Sequence, residues 1–312
     1  MLKQTIEIYE LLDRPDASAA SMASYLEKQG PCEVKVTPVS SEKGKTDYIR
    51  IVIPGGKGAS IGGKASTLGV IGRLGGLGAR PEVTGFVSDG DGALAALALA
   101  AKLTSMAKHG DCLDGDVIVS THICPSAPTR PHSPVPFMDS PVDPVVANRT
   151  EVLPEMDAIL SIDTTKGNRI LNHKGVAITP TVKDGYILRV SERLLDVLMQ
   201  TTGRMPRVLP ITQQDLTPYG NGLFHINSIL QPSTSTDVPV VGVAVTTETT
   251  VAGCATGATD LQDVEGAARF CLEVAKTFTA GNCEFFDNSE YERIIALYGK
   301  NSHFREAGNG CR

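Results

Sequence analysis

The chain has no tryptophan, few aromatics of any kind (5%) and no CxxC pair. It also has no apolar run near the roughly 18 residues that a membrane span needs. The first residues, MLKQTIEIYELLDRPDASAAS, lack the apolar core of a signal peptide, so a cytoplasmic protein with no membrane partner is expected. Basic residues are the minority, 29 Lys and Arg against 35 Asp and Glu, for a net charge of −6. None of the basic residues cluster among aromatics, which argues against a nucleic-acid partner. The seven cysteines, Cys32, Cys112, Cys124, Cys254, Cys271, Cys283 and Cys311, are odd in number. Without CxxC spacing or an export signal they are expected as free, mostly buried thiols.

What the chain does have is length, apolar content and glycine. Its 312 residues, 41% hydrophobic, suit a single α/β domain over 1–312. Helical patterns over 4–13, 17–29, 91–107, 192–202, 263–278 and 289–297 alternate with apolar runs. The runs at 48–54, 68–71, 83–87, 116–121, 156–163, 207–212 and 238–245 read as strands. That alternation predicts a three-layer sandwich around a mostly parallel sheet. Much of the glycine falls in 55–80, a segment of loops around a short strand. Its apolar residues Ile61, Leu68, Val70, Ile71, Leu74 and Leu77 need cover, which predicts a homo-oligomer. The proline density of 124–154 excludes regular structure there and reads as a functional loop.

The chemistry concentrates between Val83 and His132. Asp89 and Asp91 sit where a strand meets the Ala/Leu helix, and His122 and Cys124 where the next strand ends. The carboxyl ends of strands are where α/β sheets bind ligands. Residues two apart on a strand share a face, so His122 and Cys124 can serve one centre, and imidazole with thiolate suits zinc. Asp163 ends the strand AILSID, and Glu248 follows VAVTT near the end of another. Arg130 and His132, on the proline-rich loop, are candidates to clamp a carboxylate. Gly58–Lys64 matches a GxxxxGK phosphate loop after a strong strand, but Ala65 replaces the magnesium-binding hydroxyl and no helix pattern follows.

This succession resembles the co-catalytic zinc aminopeptidases of the tetrahedral and glutamyl kind. Their acidic turn, Ala/Leu helix, second strand, aspartate-ended strand and late strand correspond to Ser88-Asp89-Gly90-Asp91, 91–107, Thr121-His122-Ile123-Cys124, Asp163 and Val245–Glu248. The chain also resembles a bacterial family of unknown function, domain of unknown function 1177, through SDGDGALAALALAAKL, DVIVSTHICPSAPTRPHSPVPFMDSPVD and ILSIDTTKGNRI. The aminopeptidase resemblance implies a peptidase-like α/β fold and a divalent metal, zinc first. The chain departs from that pattern at three places. Pro54-Gly55-Gly56 stands where the first ligand histidine should follow Ile51–Ile53, the Glu-Glu pair is absent, and Cys254 and Gly257 lie near the missing late histidine.

The expectation is therefore a metal-dependent hydrolase with a rebuilt site, acting on a peptide-like or cyclic amide small molecule. Asp89, His122 and Asp163 would hold the metal. His122, Cys124, Asp91 or Glu248 would supply base or nucleophile, and Arg130 and His132 would bind substrate. The alternatives are a non-catalytic protein that binds a small carboxylate and a nucleotide-binding protein using Gly58–Lys64.

Overall fold

The β-branched runs of the sequence form one large sheet in the structure, a computed structural model describing residues 1–73, 75, 85–131, 133, 136–218, 223, 227–250 and 259–305. Its strands are β1 (Glu33–Ser41), β2 (Gly44–Ile53), β3 (Leu68–Gly72), β4 (Val117–Ile123), β7 (Ala158–Thr165), β8 (Gly175–Ile178), β9 (Val182–Lys183), β10 (Tyr186–Ile187) and β11 (Val240–Thr246). The order is β1-β2-β4-β3-β7-β11-β9-β10, with β8 also paired to β11. The central strands β4, β3, β7 and β11 are parallel, and antiparallel strands flank them. A separate hairpin joins β5 (Thr129–Arg130) to β6 (Phe137–Met138).

The two sheet faces are covered unequally. The helices α1 (Leu2–Asp13), α2 (Ala19–Gln29), α3 (Asp91–Lys108) and α6 (Leu261–Thr279) pack on one face, with α5 (Glu192–Thr202) against α6. Helix α3 is buried almost all round, because its Ala and Leu side chains meet the sheet on one side and α1, α2 and α6 on the others. Its first turn lies against backbone. A Cβ on Gly92 would come within 2.4 Å of the Ile162 carbonyl oxygen, and one on Gly72 within 2.7 Å of Ala93 Cα. The other face is covered by α4 (Pro144–Glu151) and by 3-10 turns, the longest over Asn227–Thr234. The last helix is α7 (Asn288–Tyr298). No helix among the described residues is long and apolar enough to cross a membrane.

Several expectations need correction. The central strand before the acidic turn is Leu68–Gly72, not 83–87: of the latter, residues 85–87 form no strand and 83–84 lie outside the described residues. Arg207–Thr212 contributes only an isolated bridge, Val208 to Ile178. The proline-rich stretch is not wholly irregular. Asp143 caps α4 by accepting from the Val145 amide, and Pro144 occupies the first helical turn, where its missing N–H costs nothing. Within the glycine-rich segment, Leu68, Val70 and Ile71 are covered by the chain's own core, so these residues give no reason for self-association, whereas Ile61 is exposed. Leu74 and Leu77 lie outside the described residues.

The Gly58–Lys64 loop is already filled. Asp116, just before β4, accepts from the Gly55 amide at 2.8 Å, the Ser60 amide at 2.7 Å and the Ser60 hydroxyl at 2.8 Å. A carboxylate of the chain thus takes the donors a phosphate would need. Strand β3 follows instead of a helix, and the loop lies at the amino end of the parallel strands. The nucleotide reading does not fit this geometry. The described cysteines, Cys32, Cys112, Cys124, Cys271 and Cys283, are all free.

Candidate functional site

At the carboxyl end of the parallel strands, register places a row of polar side chains on the α4 face. Ile71 pairs with Ser120 on one side and Ser161 on the other. Two residues further on, His122, Arg73 and Asp163 therefore stand level on neighbouring strands. Tyr48 extends the row, since it pairs directly with His122. At roughly 4.8 Å per strand, His122 and Asp163 stand about 10 Å apart, with Arg73 between them.

Each member is fixed by a partner. The Arg73 guanidinium donates to Glu151 in a short ion pair and to Asn148 Oδ1 at 3.2 Å, both on α4. Its Nε–H is buried without a partner among the described residues. The Ser228 hydroxyl donates to Asp163 in a short hydrogen bond, and the Thr164 amide reaches the other carboxylate oxygen at 2.7 Å. His122 stacks on Tyr48 with ring centroids 5.1 Å apart, and its Nδ1 lies 2.8 Å from Thr46 Oγ1. The same hydroxyl lies 3.2 Å from the Ile123 carbonyl oxygen, to which it can donate. With the hydroxyl so directed, Nδ1–H donates to Thr46 and Nε2 carries the lone pair.

Arg73, His122, Glu151 and Ser228 line a cavity of about 270 Å³, with Arg130, Met138, Asp139 and Ser140 from the β5–β6 hairpin region at its rim. Burial, reinforced by Arg73, lowers the His122 pKa to about 3, so the imidazole is neutral at ordinary pH. Burial raises the Glu151 pKa, against the pull of Arg73.

The acidic turn lies across the same sheet edge. Asp91 begins α3 and accepts from the Thr259 hydroxyl at 2.8 Å. Burial raises Asp89 to about 7, Asp91 to about 8 and Asp163 to about 6. Lys166, one residue past β7, brings its ammonium into this group. Its Nζ is buried without a hydrogen-bond partner among the described residues, and burial lowers its pKa against the pull of Asp91, Asp89 and Asp163.

The expected metal site meets this arrangement poorly. Among the described residues no three His, Cys, Asp or Glu side chains converge as a metal-binding group. Arg73 separates His122 from Asp163 in the row, and the acids of α3 and β7 already face the ammonium of Lys166. A divalent cation there would compete with the Lys166 side chain for the same carboxylates. The described residues do not fit the metal, and no step below uses one.

The remaining expected site residues lie as follows. Cys124 is buried, donates to the Lys45 carbonyl at 3.4 Å and has its pKa raised by burial, so it is held as a thiol. Glu248 is exposed, in the electrostatic surroundings of His173 and Lys174 and not among the cavity-lining residues. Arg130 pairs with Asp139 at 2.6 Å across the hairpin. His132 lies outside the described residues. Sequence reasoning missed Arg73, Glu151, Lys166 and Ser228. Only Lys166 carried a local signal, following the strand-end acid in DTTK.

Among solved structures, the chain is similar to the LapA aminopeptidase of Legionella pneumophila, at 11% identity and a TM-score of 0.52, over 90% of this chain and 71% of that one. It is similar to the bottromycin maturation enzyme BotP in complex with manganese, at 14% identity and a TM-score of 0.51, over 89% and 70%. Tomato leucine aminopeptidase gives 12% identity and a TM-score of 0.50, over 87% and 60%. At these identities the likeness establishes an aminopeptidase-like fold and nothing further. No curated protein matches the sequence. Residues 37–308 match one family throughout, and the chain belongs to it: the protein of unknown function family DUF1177.

Proposed function

We propose that the chain is a hydrolase of a small carboxylate-bearing amide, a short peptide or a cyclic amide, working with side chains of the His122–Arg73–Asp163 row and Glu151. One observation carries this reading: a cavity of about 270 Å³ joins a buried arginine, a neutral imidazole and a carboxyl group. The volume is small for a ligand pocket and suits a small molecule. Arg73 and Arg130 bring positive charge to a substrate carboxylate. Glu151 takes a proton from the attacking water and returns it to the leaving nitrogen as the C–N bond breaks. Its raised pKa brings it nearer to neutral pH, where one group can do both. With its pKa pushed to about 3, His122 is a weak base, better suited to accept a hydrogen bond at Nε2 and orient substrate or water.

The test is mass spectrometry of N-acyl amino acids, dipeptides and cyclic amides incubated with the purified protein. Glu151→Gln should lower turnover roughly 10²-fold or more, as loss of general acid–base catalysis does, when assayed below its own reduced melting temperature, since it also leaves Arg73 without its buried counter-charge. Binding without turnover would favour the second reading, a small-carboxylate-binding protein, which the weakly basic His122 supports. Neither binding nor turnover across the panel would overturn both.

A further inference from the structure

Beside the candidate active site, the same sheet face carries a second polar grid that the proposed chemistry does not use. Register across β1, β2 and β4 pairs Lys35 with Arg50 and Arg50 with Ser120, and in the next row Thr37 with Tyr48 and Tyr48 with His122. Side chains two residues apart share a face, so Lys35, Thr37, Tyr48, Arg50 and Ser120 form one contiguous patch. Thr150 of α4 closes it on one side, leaving a cavity of about 170 Å³.

Two observations point to a ligand. Tyr48 and Ser120 line this cavity, are 4% and 2% exposed, and have buried hydroxyls without a hydrogen-bond partner among the described residues. Buried hydroxyls are almost always paired, and leaving one unpaired is costly. The two cations, Arg50 and Lys35, form no ion pair among the described residues, in a chain that is acidic overall. A guanidinium, an ammonium and two O–H groups make a set of donors with two positive charges and no carboxylate lining the cavity.

We infer that this cavity is an oxyanion site for a phosphate dianion, either free or as the phosphoryl group of a small ester. Arg50 offers a fork of N–H groups to two oxygens. Lys35 neutralises the second charge, and Tyr48 and Ser120 donate to the remaining oxygens. The site is distinct from the Arg73 cavity, since Tyr48 and the end of α4 stand between them, and it does not depend on the chain having hydrolytic activity.

The experiment is equilibrium dialysis and thermal melting of the full chain with inorganic phosphate, glycerol phosphate and acetate at constant ionic strength. Inorganic phosphate should bind at one site per chain and raise the melting temperature by a few degrees at about 10 mM, with acetate much weaker. Tighter binding of glycerol phosphate would identify an ester as the source, and tighter binding of phosphate the free ion. Arg50→Met should lower phosphate uptake at least tenfold. Ser120→Ala should also weaken binding, yet leave the ligand-free protein as stable as wild type or more so, because it removes an unpaired hydroxyl. No phosphate uptake by the wild type, or undiminished uptake by folded Arg50→Met, would overturn the assignment. A Ser120→Ala protein destabilised without ligand but unchanged in phosphate affinity would also overturn it, since that hydroxyl would then serve the fold alone.

Discussion

Arg73 and Glu151 form an ion pair closed off from solvent, with side chains 5% and 1% exposed. The pair ties the end of β3 to α4 and sets one wall of the cavity. Removing one member leaves a buried charge unanswered, which typically costs about 3–5 kcal/mol, whereas replacing both by apolar groups of similar volume is often neutral. Arg73→Met alone should therefore lower the denaturant midpoint strongly, and adding Glu151→Leu should restore most of the loss. A double variant no more stable than the single one would contradict the pairing.

Titration of the site runs in two directions. His122 falls from 6.5 to about 3 on folding, so below pH 6.5 the unfolded chain holds a proton there that the folded chain does not. This contribution to stability is complete above pH 6.5 and is lost as the pH falls towards 3, by up to about 1.4 kcal/mol per unit. Asp91 moves the other way, from 3.8 to about 8, so its ionisation costs stability as the pH rises between those values. Relative to wild type, His122→Gln should gain stability in acid, and Asp91→Asn should gain it as the pH approaches 8. Denaturant melts across pH 4–8 check both signs, and parallel curves for wild type and either variant would contradict them.

How much of this was legible in the sequence depended on whether its cause was local. Periodicity located β4, β7, β11, α3, α5 and α6 to within a few residues, because each has a long apolar pattern of its own. Strand β3 was found as a short strand at 68–71, but the central place went to 83–87, since LGVIG offers only five residues among glycines. Helix α4 was hidden by proline density, although the Asp143-Pro144 start is a helix-entry signal. Asp89, Asp91, His122 and Asp163 were legible as polar residues ending apolar strands or opening a helix. Arg73 and Glu151 were not, because 78 residues separate them and only the folded chain pairs them.

The entry of α3 makes a steric prediction. A Cβ at Gly92 would stand 2.4 Å from the Ile162 carbonyl oxygen and 3.1 Å from the Arg73 amide nitrogen. Gly92→Ala should lower stability by about 1–3 kcal/mol, the usual cost of overpacking, and shift Arg73. Gly110→Ala offers a control, with open space around its Cβ but a φ of +84°. Its smaller strain cost in chemical melts should set it apart, and equal losses would contradict the close approach.

Lys166 leads to a prediction about metal removal. If Lys166 takes the place of a metal among Asp89, Asp91 and Asp163, dialysis against a chelator leaves the melting temperature and circular dichroism unchanged, and adding manganese or zinc does not raise them. Lys166→Ala should instead melt lower than wild type. A wild-type protein that loses several degrees on chelation and regains them with manganese would contradict this role.

The most direct measurement is calorimetric titration of an N-acetyl amino acid into wild type and into the Arg73→Met, Glu151→Leu double variant, whose fold the first prediction preserves. The wild type should bind at one site, and the double variant, at an equal melting temperature, should show no binding heat. Equal affinity in the two proteins would place the ligand elsewhere and contradict the assignment of this cavity as the functional site.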